Sequence, residues 1–204
     1  MSAESQQARE FTTAAEAFVG LVHDISPDAW ERPALGVWSV RELVGHTSRA
    51  LTTVPAYLDS PAETVDVEDP AGYFMAVLQT TSHEQVAERG RVSARGLGAD
   101  PAHTVRQQAR TAIEAVAHSG ESALVQTPAG GMRLLDYLPT RTYELTVHSL
   151  DLLRATGMRA HLPAEAVAAA TRLAVDLAAA QGKAVEVLLA LNHRQPLDSG
   201  FGVL

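Results

Sequence analysis

Cysteine is absent from all 204 residues, so disulfides, thiolate metal ligands and a protein-thiol nucleophile are excluded. No apolar stretch approaches the roughly 18 residues needed to span a bilayer. The N-terminus, MSAESQQAREF, is polar and lacks the apolar run of a signal peptide. Basic charge is scarce and scattered: 16 lysines and arginines stand against 24 acidic residues, for a net charge of -8. That balance argues against a nucleic-acid or anionic-membrane surface. Repeats, low-complexity tracts and strand-rich regions are missing as well. The expectation is a soluble cytoplasmic protein of one domain, 46% apolar and 20% charged, with enough chain to bury a real core.

Apolar residues recur at helical spacing along most of the chain. Phe11, Ala14, Ala15, Phe18, Leu21 and Val22 predict a helix over 3–24, stopped at Ile25-Ser26-Pro27. A loop over 28–37 follows, and Trp30 and Trp38 are expected to plug one end of the core. Ser39 and Glu42 form an S-x-x-E capping box that opens a helix to about Leu58. Asp69-Pro70 and Asp100-Pro101 each place a cap before a proline at the first helical position, and predict helices over 70–94 and 101–119. Arg89, Arg91 and Arg95 near the end of the first are either a solvated helix end that offsets the dipole or a reach toward an anionic substrate. Residues 121–133 hold a turn and an extended pair. A helix over 137–155 follows, with Pro139 as a kink or as its true first turn, and Gly157 ends it. Pro163 starts an alanine-rich helix to Gln181, 184–192 makes a last short one, and the tail RQPLDSGFGVL is expected to pack back on the body. The fold class expected is all-α, an antiparallel four-helix bundle with extra short helices.

The chemistry gathers on the helix over 137–155. Tyr137, Arg141, Glu144, His148, Asp151 and Ala155 follow each other at spacings of 4-3-4-3-4, the seam a helix presents to its neighbours. Leu138, Leu145 and Leu152 flank that seam, with Val147 and Leu150 across the helix. A charged line on an otherwise apolar helix faces a cavity inside the bundle, and buried charges are costly unless paired or bound to a metal. Glu144 and His148, at i and i+4, can converge on one ion. His46, at mid-helix on an inward edge, is the best third ligand, because the other histidines fall near helix ends or loops. Two nitrogens and one oxygen suit zinc, and also nickel, iron or manganese. Three protein ligands leave a position open, as in catalytic zinc sites. Arg141 and Asp151 each lie one turn from a ligand, placed to fix it or to touch substrate. The alternative is an internal ion pair of Arg141 with Glu144 or Asp151, beside an ordinary core histidine. A bare ion pair would be a poor source of stability in a bundle core.

LGVWSVRELVGHTSRAL and RTYELTVHSLDL, with VAERGR, GGMRLLDYLPTR and the closing LLALNHR, carry a family likeness over nearly the whole chain. Together they resemble the mycothiol-dependent maleylpyruvate isomerase N-terminal domain family, within the DinB/YfiT-like metalloenzyme superfamily. The resemblance implies a four-helix bundle with a divalent metal, usually zinc, at one end. The family's ligands map onto His46, Glu144 and His148. Glutamate in the middle follows the isomerase branch, where the wider pattern has three histidines. The resemblance further implies mycothiol, a small thiol of actinobacteria, as cosubstrate at the open metal position, held as its thiolate. Attack on an electrophilic small molecule, with isomerisation or thiol transfer, would follow. An arginine assisting an acidic substrate is expected; Arg89 is the choice here, with Arg141 and Asp151 as the other catalytic candidates. The full isomerases carry a sterol-carrier-like second domain. A single domain over 1–204 is expected here, which points away from maleylpyruvate itself as substrate. A homodimer through outer helix faces is compatible with the superfamily.

Two other readings stay open beside the thiol-dependent one. One is a hydrolase, lyase or cyclase that uses water at the metal without mycothiol. The other is a non-catalytic bundle that binds a metal, a small molecule or a protein. An open metal site separates the enzymes from the bundle, and a thiol at the metal separates the enzymes from each other.

Overall fold

The computed structural model describes residues 5–204, apart from the side chain of His83. The first two residues of the helix expected over 3–24 lie outside the described residues. Within them the order is α1 (Gln6–His23), α2 (Val40–Leu58), α3 (Pro70–Thr80), α4 (His83–Gly96), α5 (Pro101–His118), strands β1 (Leu124–Thr127) and β2 (Gly130–Arg133), α6 (Leu134–Thr156), α7 (Ala164–Ala180) and α8 (Ala184–Leu191).

Local chemistry sets most of the helix starts. Ser39 and Glu42 make both bonds of the capping box at α2. Asp69 and Asp100 accept backbone N–H groups of Gly72 and His103, ahead of Pro70 and Pro101. The helix expected over 70–94 is in fact two. Thr81 is extended, at φ -125 and ψ 124, and Ser82 restarts the chain with Gln85 as a second capping box. Neither glycine nor proline marks that break, and an S-x-x-Q signal inside a continuing apolar rhythm reads as more helix. Pro139 lies inside α6 and is not its first turn, because α6 begins at Leu134.

Four helices close a ring. α1 packs on α6, α6 on α2, α2 on α5, and α5 back on α1. The all-α, DinB-like four-helix bundle with extra short helices is therefore the architecture adopted. The extended pair expected over 121–133 is the antiparallel hairpin β1–β2, paired Leu124 to Arg133 and Thr127 to Gly130. Phe11, Phe18, Leu43, Leu51, Leu138, Leu145 and Leu152 fill the bundle core and are fully buried. Each contributes roughly 1.5–3 kcal/mol. Leu150, across α6 from the seam, is 45% exposed, so α6 keeps one face to solvent.

The remaining helices dress the ring and shape its open end. α7 covers α1 and α6, α3 bridges α6 and α7, and α8 packs on α7. α4 lies along α2, and the two backbones almost meet at Gly45. A Cβ there would stand 2.4 Å from the Ala94 nitrogen. That approach holds the inner face of α4 against the head of α2, beside His46. No helix among the described residues is long and apolar enough to cross a membrane.

Candidate functional site

One end of the bundle opens into a cavity of about 690 Å³, within the usual range for small-ligand sites. α2 contributes His46, Arg49, Thr53 and Tyr57 to its wall, and α6 contributes Arg141, Glu144, His148 and Asp151. Both sets recur every three or four residues, which is why two helices suffice to line one space. Tyr73 and Phe74 of α3, Arg89 of α4 and Trp38 complete the inner wall. The tail reaches the cavity at Gly202–Leu204, held where Gln181 Nε2 donates to the Val203 carbonyl at 2.6 Å.

His46, Glu144 and His148 are brought together at the floor. One donor atom from each lies within 4.8 Å of the other two. Glu144 Oε2 stands 3.2 Å from His148 Nε2 and 3.6 Å from His46 Nε2. Tetrahedral donors about 2.1 Å from an ion are about 3.4 Å apart, and the observed pair brackets that spacing. The far nitrogen of His148 is already committed. Its Nδ1 lies 3.1 Å from Asp151 Oδ2, which fixes Nε2 as the free donor. This cluster is compatible with a single divalent ion.

The protonation pattern follows from the same distances. Burial favours the neutral ring at His148, but hydrogen bonds to Asp151 and Glu144 outweigh it and push the group up to about 9. Burial also dominates at His46 and lowers it, against the opposing pull of Glu144. Burial would raise Glu144, yet hydrogen bonds from His148 and His46 hold its carboxyl well below the usual range. The chain alone therefore places a charged His148 between two carboxylates, with His46 neutral.

A stability effect follows. The folded value of His148, about 9, exceeds the ordinary 6.5, so its stabilisation is complete below pH 6.5 and is lost as pH rises through 9. Chelator-treated protein should lose up to about 3 kcal/mol across that window, read as a falling urea midpoint. A midpoint that stays level or rises between those values contradicts the pattern.

Arg141 is buried but forms no ion pair among the described residues. Its guanidinium lies over the rings of Tyr137 and Tyr73, 4.7 and 5.4 Å from their centroids. Nε donates to Thr140 Oγ1 at 2.9 Å, and Nη2 reaches the Tyr73 hydroxyl at 3.4 Å. The expected alternative, an internal ion pair of Arg141 with Glu144 or Asp151, is not what the helix makes. Burial works against the charge, but the fields of Tyr137, Tyr73 and Glu144 outweigh it and keep Arg141 protonated. Arg89 faces the cavity, whereas Arg91 pairs with Glu42 and Glu88 and Arg95 with Glu88.

Residues missed in the sequence also line the site. Arg49 is i+3 from His46, and Thr53 and Tyr57 continue the same face. That signal was available. Trp38, expected only as a core plug, stacks on His46 with ring centroids 4.4 Å apart. No spacing rule links it to the site, and none points to the tail.

The comparisons agree with this geometry. The sequence model of the mycothiol maleylpyruvate isomerase N-terminal domain matches residues 11–153, well over half of the chain. The chain belongs to that family. The matched span holds every residue of the floor, along with Arg89, Arg141 and Asp151. Membership in the mycothiol maleylpyruvate isomerase N-terminal domain family makes this a mycothiol-related, DinB-like metal-binding domain. Neither the curated proteins nor the solved structures yield a match to the chain.

Proposed function

We propose that the chain is a divalent-metal-dependent enzyme that activates a small thiol, mycothiol, for transfer to or isomerisation of an acidic electrophilic small molecule. The observation that carries this reading is the His46–Glu144–His148 cluster opening directly into a cavity lined by three arginines. His46 Nε2, Glu144 Oε2 and His148 Nε2 would hold the ion, with zinc the first candidate and nickel, iron or manganese behind it. A divalent ion in that place supplies the positive charge that keeps a thiol deprotonated at neutral pH.

The chain's own residues supply the rest. Asp151 accepts from His148 Nδ1 and keeps the ring turned so that Nε2 faces the floor. Arg89, with Arg49 and Arg141, draws the acidic end of the electrophile inward. Trp38, Phe74 and Val77 make the walls apolar and exclude water from the reacting end. Tyr57 is raised by burial, so its hydroxyl stays protonated as a donor toward the ligand.

The test uses protein purified without a nickel column. Metal analysis should find about one ion per chain, a stoichiometry set by the single three-donor cluster among the described residues. Cobalt-substituted protein should then gain a sulfur charge-transfer band when mycothiol is added. A chain that takes up no metal even with zinc supplied would sink the proposal. A metal-loaded chain whose spectrum ignores the thiol would remove mycothiol from it.

A further inference from the structure

The two histidines of the floor are secured in different ways. A metal-ligating imidazole normally donates its second N–H to a carboxylate or carbonyl, which fixes both tautomer and ring orientation. His148 has that partner in Asp151. His46 does not. Its Nδ1 is buried and has no hydrogen-bond partner among the described residues. Its polar contact to Glu144 is made through Nε2, the proposed donor itself, so no hydrogen bond from the far side of the ring fixes the orientation of His46.

An aromatic surface stands where the hydrogen bond is missing. The Trp38 indole lies on the His46 ring, 4.4 Å between centroids and 29° from parallel. Trp38 is itself clamped from behind. Its Nε1 donates to the Ala87 carbonyl of α4 at 3.2 Å, across 49 residues of sequence. Gly90, one turn further along α4, leaves room for the ring: a Cβ there would meet three indole atoms at 3.0 Å. Trp38 is buried, at 9% exposure, between α4 and the cavity wall. The His148 ring closes the other side, edge-on to His46 at 5.0 Å.

We infer that Trp38 is the positioning residue of the His46 ligand, and that its indole face does for His46 what the Asp151 carboxylate does for His148. This rests on the metal reading of the floor. Trp38 touches neither ion nor substrate through a polar atom; it acts by holding one donor on target. The site thus has one ligand fixed by charge and one fixed by packing, and the second depends on α4 staying docked.

The experiment compares zinc affinity, by competition with a chromophoric chelator, and the visible spectrum of the cobalt form. It takes wild type, Trp38→Ala, Trp38→Phe and Gly90→Ala, with thermal unfolding of each metal-free protein as the check on folding. Trp38→Ala should bind zinc about 10–100-fold more weakly, the usual cost of losing a ligand's support. Its cobalt bands should shift as the His46 donor is displaced. Trp38→Phe keeps an aromatic face and should restore affinity close to wild type. Gly90→Ala leaves Trp38 in place but moves the indole by a few tenths of an ångström, so its cobalt spectrum should change while its fold does not. A folded Trp38→Ala with wild-type affinity and spectrum overturns the inference and leaves the metal reading standing. If Trp38→Ala does not fold, an unchanged cobalt spectrum in Gly90→Ala overturns it in its place. A wild type that loads no metal overturns both.

Discussion

Glu144→Gln should emerge from purification without the ion that the proposed function places at the floor, and its metal-free form should lose part of the pH dependence of the wild type. Glu144 is the one anionic donor of the cluster, and its Oε2 serves both histidines, at 3.2 and 3.6 Å. Glutamine keeps the volume but offers a neutral amide. Losing a donor should cost at least the roughly 10–100-fold in affinity that losing a ligand's outer partner costs. The second half of the expectation concerns the chain without metal. His148 is held up at about 9 by Asp151 and Glu144 together, against the opposing effect of burial. With Glu144 neutral, one of the two supports is gone and the folded value drops toward the ordinary one. The variant should then be less stable than wild type at pH 6, and the gap should close as pH approaches 9. The sign follows from linkage: a raised histidine stabilises only where it is protonated. Zinc titrations with urea unfolding at pH 6 and pH 9 check both halves. Wild-type zinc affinity in the variant, or a stability gap that widens with pH, would refute this account of the floor.

Gly45→Ala should be the most damaging of the glycine-to-alanine exchanges within the described helices. The added Cβ would stand 2.4 Å from Ala94 N, 2.6 Å from its Cα and 2.8 Å from its Cβ. Two of those three atoms are backbone, and backbone cannot rotate aside. Ordinary carbon contacts need about 3.5–4.0 Å, so α2 and α4 would have to part by roughly 1 Å. Overpacking of this kind costs about 1–3 kcal/mol or more, and alanine's better helix propensity returns about 1 kcal/mol of that. For a chain of this length a net loss of about 2 kcal/mol lowers Tm by about 4–8 °C. The site suffers with the fold, because α4 carries Arg89 and the Ala87 carbonyl that anchors Trp38. Gly20→Ala is the matched control. Nothing lies within 4 Å of a Cβ at Gly20 in α1, so the same exchange there should raise stability by about 0.5–1 kcal/mol. Thermal unfolding of the two variants should move in opposite directions. Equal shifts would mean that the Gly45 contact does not determine how α2 and α4 dock.

Much of this was written in the order of the residues. The seam on α6 needs only helical periodicity to bring Glu144 within reach of His148, and Asp151 falls beside the same ring three residues on. Ser39 with Glu42, Asp69 with Pro70 and Asp100 with Pro101 mark helix starts through bonds no longer than one turn. His46 was legible as an inward position on α2, and its convergence on the α6 pair was an inference that the fold then placed at 3.6 Å. What depended on partners far along the chain was not legible. The alternative reading of Arg141, as half of an ion pair, followed from its carboxylate helix neighbours, but Tyr73, 68 residues away, reaches it, and the ring faces of Tyr73 and Tyr137 take their place. Trp38 read as a core plug, and only the docking of α4 turned it onto His46. The tail read as something that would fold back, with no sign that Gly202–Leu204 would reach the cavity. The sequence by itself determined most of the helices and the seam that carries Glu144, His148 and Asp151, because those follow from relations within three or four residues. The tertiary structure alone decided which groups face which across the cavity, because those contacts join distant segments and depend on how closely α2, α4 and α6 can approach.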